Sequence, residues 1–313
     1  MDITWIAIET TLAVFSIVGI GFFLRRRNII TTEIAQGLMN IAINVLFPCL
    51  ILDKMLGSKV LTQPLVVISA AGMGFCTIMI GYGLCYLVGP LVGLQRGSGR
   101  RTFAVSSGLQ NFGFVAIPLL AAFFPSEESM AVLFTHNVGV DVALWTVGLM
   151  LLSGTKKPSW QLLMKGPIIA VFFGLLLANI DAGSWMPNVI STILGDLGAC
   201  TVPVCLLITG STFSDLVGKE KFRMKVAAGS IIMRLAVLPL IMLSLARFLP
   251  ISTELKQVMV IQASLPAAVT TIILSRYYGG QPGVAIQVVI ATTLAALITM
   301  PLIITLGIQW LGL

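Results

Sequence analysis

Charge is scarce in this sequence, and histidine is almost absent. Asp, Glu, Lys and Arg make up 10% of the 313 residues and there is one His, against about a quarter charged in soluble domains. So little charge excludes an ordinary soluble globular domain, whose surface would be left uncovered. The five cysteines, Cys49, Cys76, Cys85, Cys200 and Cys205, form no CxxC pair and no Cys–His spacing, so neither a zinc site nor a disulfide framework has a basis here. No metal or other cofactor is expected, and the cysteines read as core residues of apolar segments. The chain has no Lys or Arg before Arg25, so its start lacks the basic region of a cleavable secretory signal and is expected to stay as a span. Nothing suggests a nucleic-acid partner.

What the chain has instead is long apolar runs. Hydrophobic residues make up 57% and the mean hydropathy is +1.02, the signature of an integral membrane protein whose partner is the lipid bilayer. Runs of spanning length lie at about 3–24, 34–52, 64–93, 102–124, 129–153, 166–182, 187–213, 226–248, 256–275 and 284–312, each fit for a hydrocarbon core of about 30 Å. The expected fold is therefore all-α, with ten transmembrane helices.

Charge placement orients them. Basic residues cluster in alternate loops: Arg25, Arg26 and Arg27, then Arg96, Arg100 and Arg101, then Lys156, Lys157 and Lys165, then Lys219, Lys221, Arg223 and Lys225, with Arg276 last. The loops between them hold only Lys54, Lys59, Arg247 and Lys256. By the positive-inside rule the richer loops are cytoplasmic, and both termini lie outside the cytoplasm. The net charge of +7 then reflects topology and some attraction to anionic lipid.

The halves share features at one offset. Adding 155 takes Pro48 to Pro203, Arg101 to Lys256 and Asn111 to Pro266. Two five-helix repeats, 1–155 and 156–313, are expected, and an odd number of spans in each would invert one relative to the other, as transporters do. The stretch GLQNFGFVAIPLL in segment four and IQASLPAAVTTIIL in segment nine each set Pro or Gly beside polar side chains at membrane depth. Backbone of that kind survives only where it is buried in protein or lines a watery cavity. Gly113, Pro118 and Pro266 are thus the expected helix breaks, with the stretches Asn111 to Pro118 and Ser264 to Pro266 meeting within a helix diameter, about 10 Å. The alternative is that these prolines and small residues serve packing alone.

The pattern NFGFVAIPLL, together with Gln262 to Gly307, resembles the auxin efflux carrier family, including its bacterial members. The resemblance implies the fold of bile acid sodium symporters: a scaffold of segments one, two, six and seven, and a transport domain of three to five and eight to ten, whose broken fourth and ninth helices cross near the substrate. It also implies a homodimer in a bacterial inner membrane that moves small organic anions, carboxylates such as malonate, malate or an auxin-like acid, by an elevator-type alternating-access mechanism. Only Gly154 to Lys165 joins the halves, unlike the long cytoplasmic loop of many plant members. Those symporters carry an acidic residue just before the second break, where this chain has Gln262, so sodium coupling of that type is not expected.

Single residues can then be weighed. Asn111 at the first break matches the family's asparagine, and its amide donates to a carboxylate without the cost of a buried cation. Gln262 and Ser264 precede the second break and offer side-chain and carbonyl oxygens, or else interhelical hydrogen bonds. Asn40, Asn44 and Pro48 recur every four residues and so share one face of segment two, which the resemblance implies is turned toward the transport domain, where Asn44 would touch substrate. His136, Asn137 and Asp141 lie in segment five. Asn137 and Asp141 share a helical face, and an ionisable residue within a span is a functional candidate. Asp141, with His136 or Arg234, is expected to carry any proton coupling, unless Asp141 and Arg234 form a structural ion pair. A channel lacks a filter or charge ring here. An intramembrane enzyme lacks its motifs, since Asp141 and Asp196 follow NVGV and TILG rather than completing GxGD, and His136 has no GxSxG serine.

Overall fold

A computed structural model describes residues 3–154, 166–218 and 223–313. Much of the linker between the proposed halves lies outside the described residues, and so do Lys156, Lys157, Lys165, Lys219 and Lys221. The described chain is helical throughout and holds no strand among the described residues. Among the described residues seven helices are long and apolar enough to cross a membrane. They are α1 (Ile3–Arg26), α2 (Thr32–Met55), α3 (Pro64–Val88), α6 (Glu127–Ser153), α8 (Asn188–Leu216), α9 (Met224–Phe248) and α12 (Pro282–Leu311). A shorter apolar helix, α7, covers Gly166–Asn179. Two further pairs of short helices lie between them: α4 (Arg100–Gly108) with α5 (Ala116–Phe123), and α10 (Thr253–Ser264) with α11 (Thr270–Tyr277). The chain is thus a multi-pass membrane protein. Segment three ends at Val88, short of the expected 93, because Gly89 and Pro90 are followed by turns through Gly93.

Glycine sets how closely the helices approach. A Cβ on Gly139 of α6 would lie 1.8 Å from the Ala71 carbonyl oxygen of α3, and one on Gly74 would lie 2.1 Å from the His136 carbonyl oxygen. The pair α1 and α8 repeats the device, with Gly210 against Val18 and Gly21 against Leu207. In lipid, where burying apolar surface drives little association, such small-residue contact is what joins helices. Leucine, isoleucine and phenylalanine elsewhere on these helices, for example Leu65, Ile68, Phe172 and Phe173, are exposed and face outward. The cysteines follow both environments. Cys85 and Cys205 are buried as expected, but Cys76 and Cys200 are exposed on outward faces, and Cys49 lies between.

Three helices contain a π-turn: Ala42–Leu46 in α2, Leu144–Gly148 in α6 and Met233–Val237 in α9. The first and third stand just before Pro48 and Pro239, whose rings would strike the carbonyls of Asn44 and Leu235 in a regular helix. Widening the turn moves those carbonyls away. Such turns recur at functional sites, and here they hold or adjoin Asn44, Asp141 and Arg234.

Candidate functional site

The two interrupted helices meet at their interruptions. After Gly108 the chain becomes extended at Leu109 and turns through Phe112 to Val115 before α5 begins. Gly108 permits this because its Cα abuts the α3 backbone, where a Cβ would lie 2.8 Å from Gly81 C. Pro118 does not make the break. It occupies the first turn of α5, where a missing N–H costs nothing because the first amides of a helix have no intrahelical acceptor. Pro266 does act as expected, since the residue before proline is pushed out of the helical region and Leu265 is extended, with φ −73 and ψ 143. Helix α10 therefore ends at Ser264.

The freed backbone groups find each other. Asn111 N–H donates to Pro266 O at 2.8 Å and Ala268 N–H donates to Leu109 O at 3.0 Å, an antiparallel bridge between Gln110 and Ala267. The residues matched by the offset of 155, Asn111 and Pro266, are thus bonded directly. Ala267 N–H is held in turn by the Thr292 hydroxyl of α12 at 3.2 Å.

The bridge splits the crossing electrostatically. On one side lie the C-terminal ends of α4 and α10, with outward-facing carbonyls. On the other lie the starts of α5 and α11, preceded by Val115 and Val269, which supply no capping side chain. Helix starts carry partial positive charge and helix ends partial negative.

A cavity of about 200 Å³ opens on the positive side. Its floor is Asn111 to Phe114 with Ala268 and Thr270, one wall is Phe134, Asn137, Val138, Asp141 and Trp145 of α6, and the opposite wall is Ile43, Phe47 and Ile51 of α2 with Pro167, Ile168 and Val171 of α7. Asn111 lines it and makes no side-chain hydrogen bond among the described residues, so its carboxamide is open to a ligand. Asn137 spans both interrupted helices: its Nδ2 donates to Phe112 O at 3.2 Å and its Oδ1 accepts from Gln262 Nε2 at 2.9 Å. Asp141 accepts from Trp145 Nε1 at 3.2 Å. Gly113 lies in the turn, with a Cβ position 4.0 Å from the Phe47 ring.

Other expected residues stand elsewhere. Asn44 is exposed, and its Nδ2 bonds back to Asn40 O at 2.9 Å. The face of α2 that reaches the cavity is Ile43, Phe47 and Ile51 instead. Gln262 and Ser264 lie behind the bridge rather than on the cavity, with the Ser264 hydroxyl donating to Ile261 O at 2.8 Å. His136 is fully buried away from the cavity, its Nδ1 3.5 Å from Asn137 Oδ1.

Arg234 and Asp141 do not pair. Among the described residues the ion pairs are Arg25–Asp215, Lys54–Asp53 and Lys54–Glu127. Arg234 points instead to the carbonyl side of the bridge. Thr270, Trp145 and the ring of Phe47 belong to the site without having been singled out from sequence; the β-branched and aromatic residues of a span give no signal that separates wall from packing.

A family model described as membrane transport protein matches residues 6–161 and again 150–304. The chain is 24% identical over 307 residues to a protein named an uncharacterized transporter of Methanothermobacter thermautotrophicus, covering 94% of this chain and 96% of that protein. It is 25% identical over 291 residues to another so named from Methanocaldococcus jannaschii, covering 87% and 90%. The chain belongs to the membrane transport protein family, the auxin efflux carrier-like transporters.

Proposed function

We propose that this protein is a secondary carrier of a small monocarboxylic acid with an apolar body, bound in the cavity beside Asn111. The observation that carries the reading is the bridge itself: two interrupted helices present their uncapped starts and one open carboxamide to a single apolar cavity. A carboxylate gains from the N–H groups and the partial positive charge there, while Phe47, Phe112, Phe114 and Phe134 take the rest of the ligand. No Lys, Arg or His is among the described residues lining the cavity, so a second carboxylate would lack a partner. Its volume of about 200 Å³ falls below the roughly 300–1,000 Å³ of sites for drug-sized ligands, which disfavours a sterol-sized substrate.

In this reading the ten apolar segments are ten spans, α4–α5 and α10–α11 each making one, arranged as two inverted repeats with both termini outside the cytoplasm. Helices α3 to α6 and α9 to α12 move together against α1, α2, α7 and α8, carrying the cavity from one face of a bacterial inner membrane to the other, in each half of a homodimer. The cavity lies between those two groups, where such a motion would open it. Counterflow in proteoliposomes tests the carrier: labelled acid should accumulate in exchange for unlabelled acid inside, and a channel would only dissipate the gradient.

Substrate class is tested by thermal shift of the purified protein, because a ligand bound only by the folded state raises the melting temperature. Aromatic or branched monocarboxylates should stabilise it more than malonate or malate, and the reverse order would overturn the assignment. Asn111→Ala should bind the best acid about tenfold more weakly, the loss of roughly 1.5 kcal/mol expected when one neutral donor to a charged acceptor is replaced by water. Its melting temperature without ligand should match the parent, since the side chain holds no protein partner. Equal affinity in the folded variant would remove Asn111 from the site.

Asp141 faces the same cavity as the bound anion. Two like charges in low dielectric repel, so ligand and proton bind together there, and affinity for the acid should rise as pH falls. Asp141→Asn keeps the shape and the Trp145 contact but carries no charge at any pH. It should bind at least as tightly as the parent at neutral pH and lose the pH dependence. A variant that keeps the parental pH profile would show that Asp141 does not couple the proton.

A further inference from the structure

Arg234 is 1% exposed in the π-turn of α9, and no carboxylate among the described residues pairs with it. A buried cation without a counter-charge is expensive. Its oxygen partners are all carbonyls: Nη1 reaches Gly108 O at 3.5 Å and Gln110 Oε1 at 3.4 Å, and Nη2 reaches Gln262 O at 3.5 Å, with Met242 Sδ 3.7 Å away. Gly108 is the last residue of α4 and Gln262 lies in the last turn of α10. The carbonyls of a helix's last turn have no intrahelical donor and bear the negative end of its dipole. One guanidinium therefore faces two converging negative helix ends, on the side of the bridge away from the cavity.

We infer that Arg234 is the resident cation of the crossing, holding the C-terminal ends of α4 and α10 together so that no inorganic cation is needed there. The donor set argues against sodium. The oxygens that would ligate it, Gly108 O, Gln262 O and Gln110 Oε1, already face a fixed positive charge, and a second cation among them would be repelled. Among the described residues no acidic side chain offsets that charge. The neutral Gln262 fits the same logic, since a carboxylate there would put a full negative charge where two partial ones are already balanced.

The test uses purified full-length protein and reads the melting temperature, which does not depend on what the protein carries; a failure of the carrier assignment leaves it intact. The parent should melt at the same temperature in sodium, potassium and choline chloride at equal ionic strength. Arg234→Lys keeps the charge and should stay within about 3 °C of the parent, whereas Arg234→Gln should melt roughly 5–10 °C lower. Arg234→Ala, which empties the space, should regain stability on addition of dilute guanidinium but not of choline. A merely structural arginine would show no such cation-specific rescue. The inference is overturned if sodium alone raises the melting temperature of the parent, if the glutamine variant is as stable as the parent, or if the lysine variant is as damaged as the glutamine one. Should the neutral variants fail to fold, the parent's response to sodium and the lysine variant decide between these outcomes.

Discussion

Gly139→Ala should abolish the folded transporter. The new methyl would sit 1.8 Å from Ala71 O and 2.8 Å from both Ala71 C and Phe75 N. All three are backbone atoms, so no rotamer change relieves the clash, and α3 and α6 must move apart along their whole contact. Overpacking a core costs about 1–3 kcal/mol where side chains can adjust. Here the separation also loosens the reciprocal contact of Gly74 with His136 O and Val140 N, so a loss above about 4 kcal/mol is expected. That is a large share of a total stability of about 5–15 kcal/mol. Gly72→Ala is the control, since on the exposed face of α3 it meets nothing within 4 Å. Size-exclusion profiles and melting curves in detergent should show Gly72→Ala as the parent and Gly139→Ala as aggregated, or melting more than about 10 °C lower. A monodisperse Gly139→Ala of parental stability would mean that the helices are held by something other than this approach.

That contact was not legible in the sequence, which offers 30 glycines and no sign of which ones touch another backbone. The seven long spans were legible, because every backbone group in lipid must be bonded within a helix and long apolar runs follow from that. The interruptions were legible for the same reason inverted: Gly, Pro and amide side chains inside such a run need a compensating partner, and each run turned out to supply the other's. Their boundaries were less clear. Pro118 looked like the breaker, yet a proline inside a run also serves as a first-turn residue, and only the extended Leu109 separates the two cases.

Asn44 fell out of the site for a geometric reason. Four-residue spacing tells which residues share a face but not which way that face turns, and the neighbouring set Ile43, Phe47 and Ile51 keeps the same spacing through the π-turn at Ala42–Leu46. The cavity sees Ile43 and Phe47. Arg234 and Asp141 invited pairing because opposite charges in spans usually meet. Their actual environments, two helix ends and a cavity of about 200 Å³, exist only after the crossing has formed.

Asn137→Ala should lower exchange by about 100-fold, the scale of misplacing a binding element by roughly an ångström. Among the described residues Asn137 is the one cavity-lining side chain that bonds to both interrupted helices: Nδ2 fixes Phe112 O in the turn before α5 and Oδ1 takes the Gln262 Nε2 donor of α10. Truncation frees the turn that positions Asn111. It also leaves the buried Gln262 amide without its acceptor, beside an Oε1 that has no partner among the described residues. Stranding a buried polar group costs about 1–3 kcal/mol, so the variant should melt several degrees lower as well. The two effects separate in the double variant Asn137→Ala with Gln262→Leu. Replacing both members of a buried pair by apolar groups is close to neutral, so the melting temperature should return most of the way to the parent. Exchange should stay low, because Phe112 O and the turn beside Asn111 remain unfixed. Recovery of exchange along with stability would show that Asn137 acts on the fold alone, and an undiminished rate in the single variant would show that the turn needs no such hold.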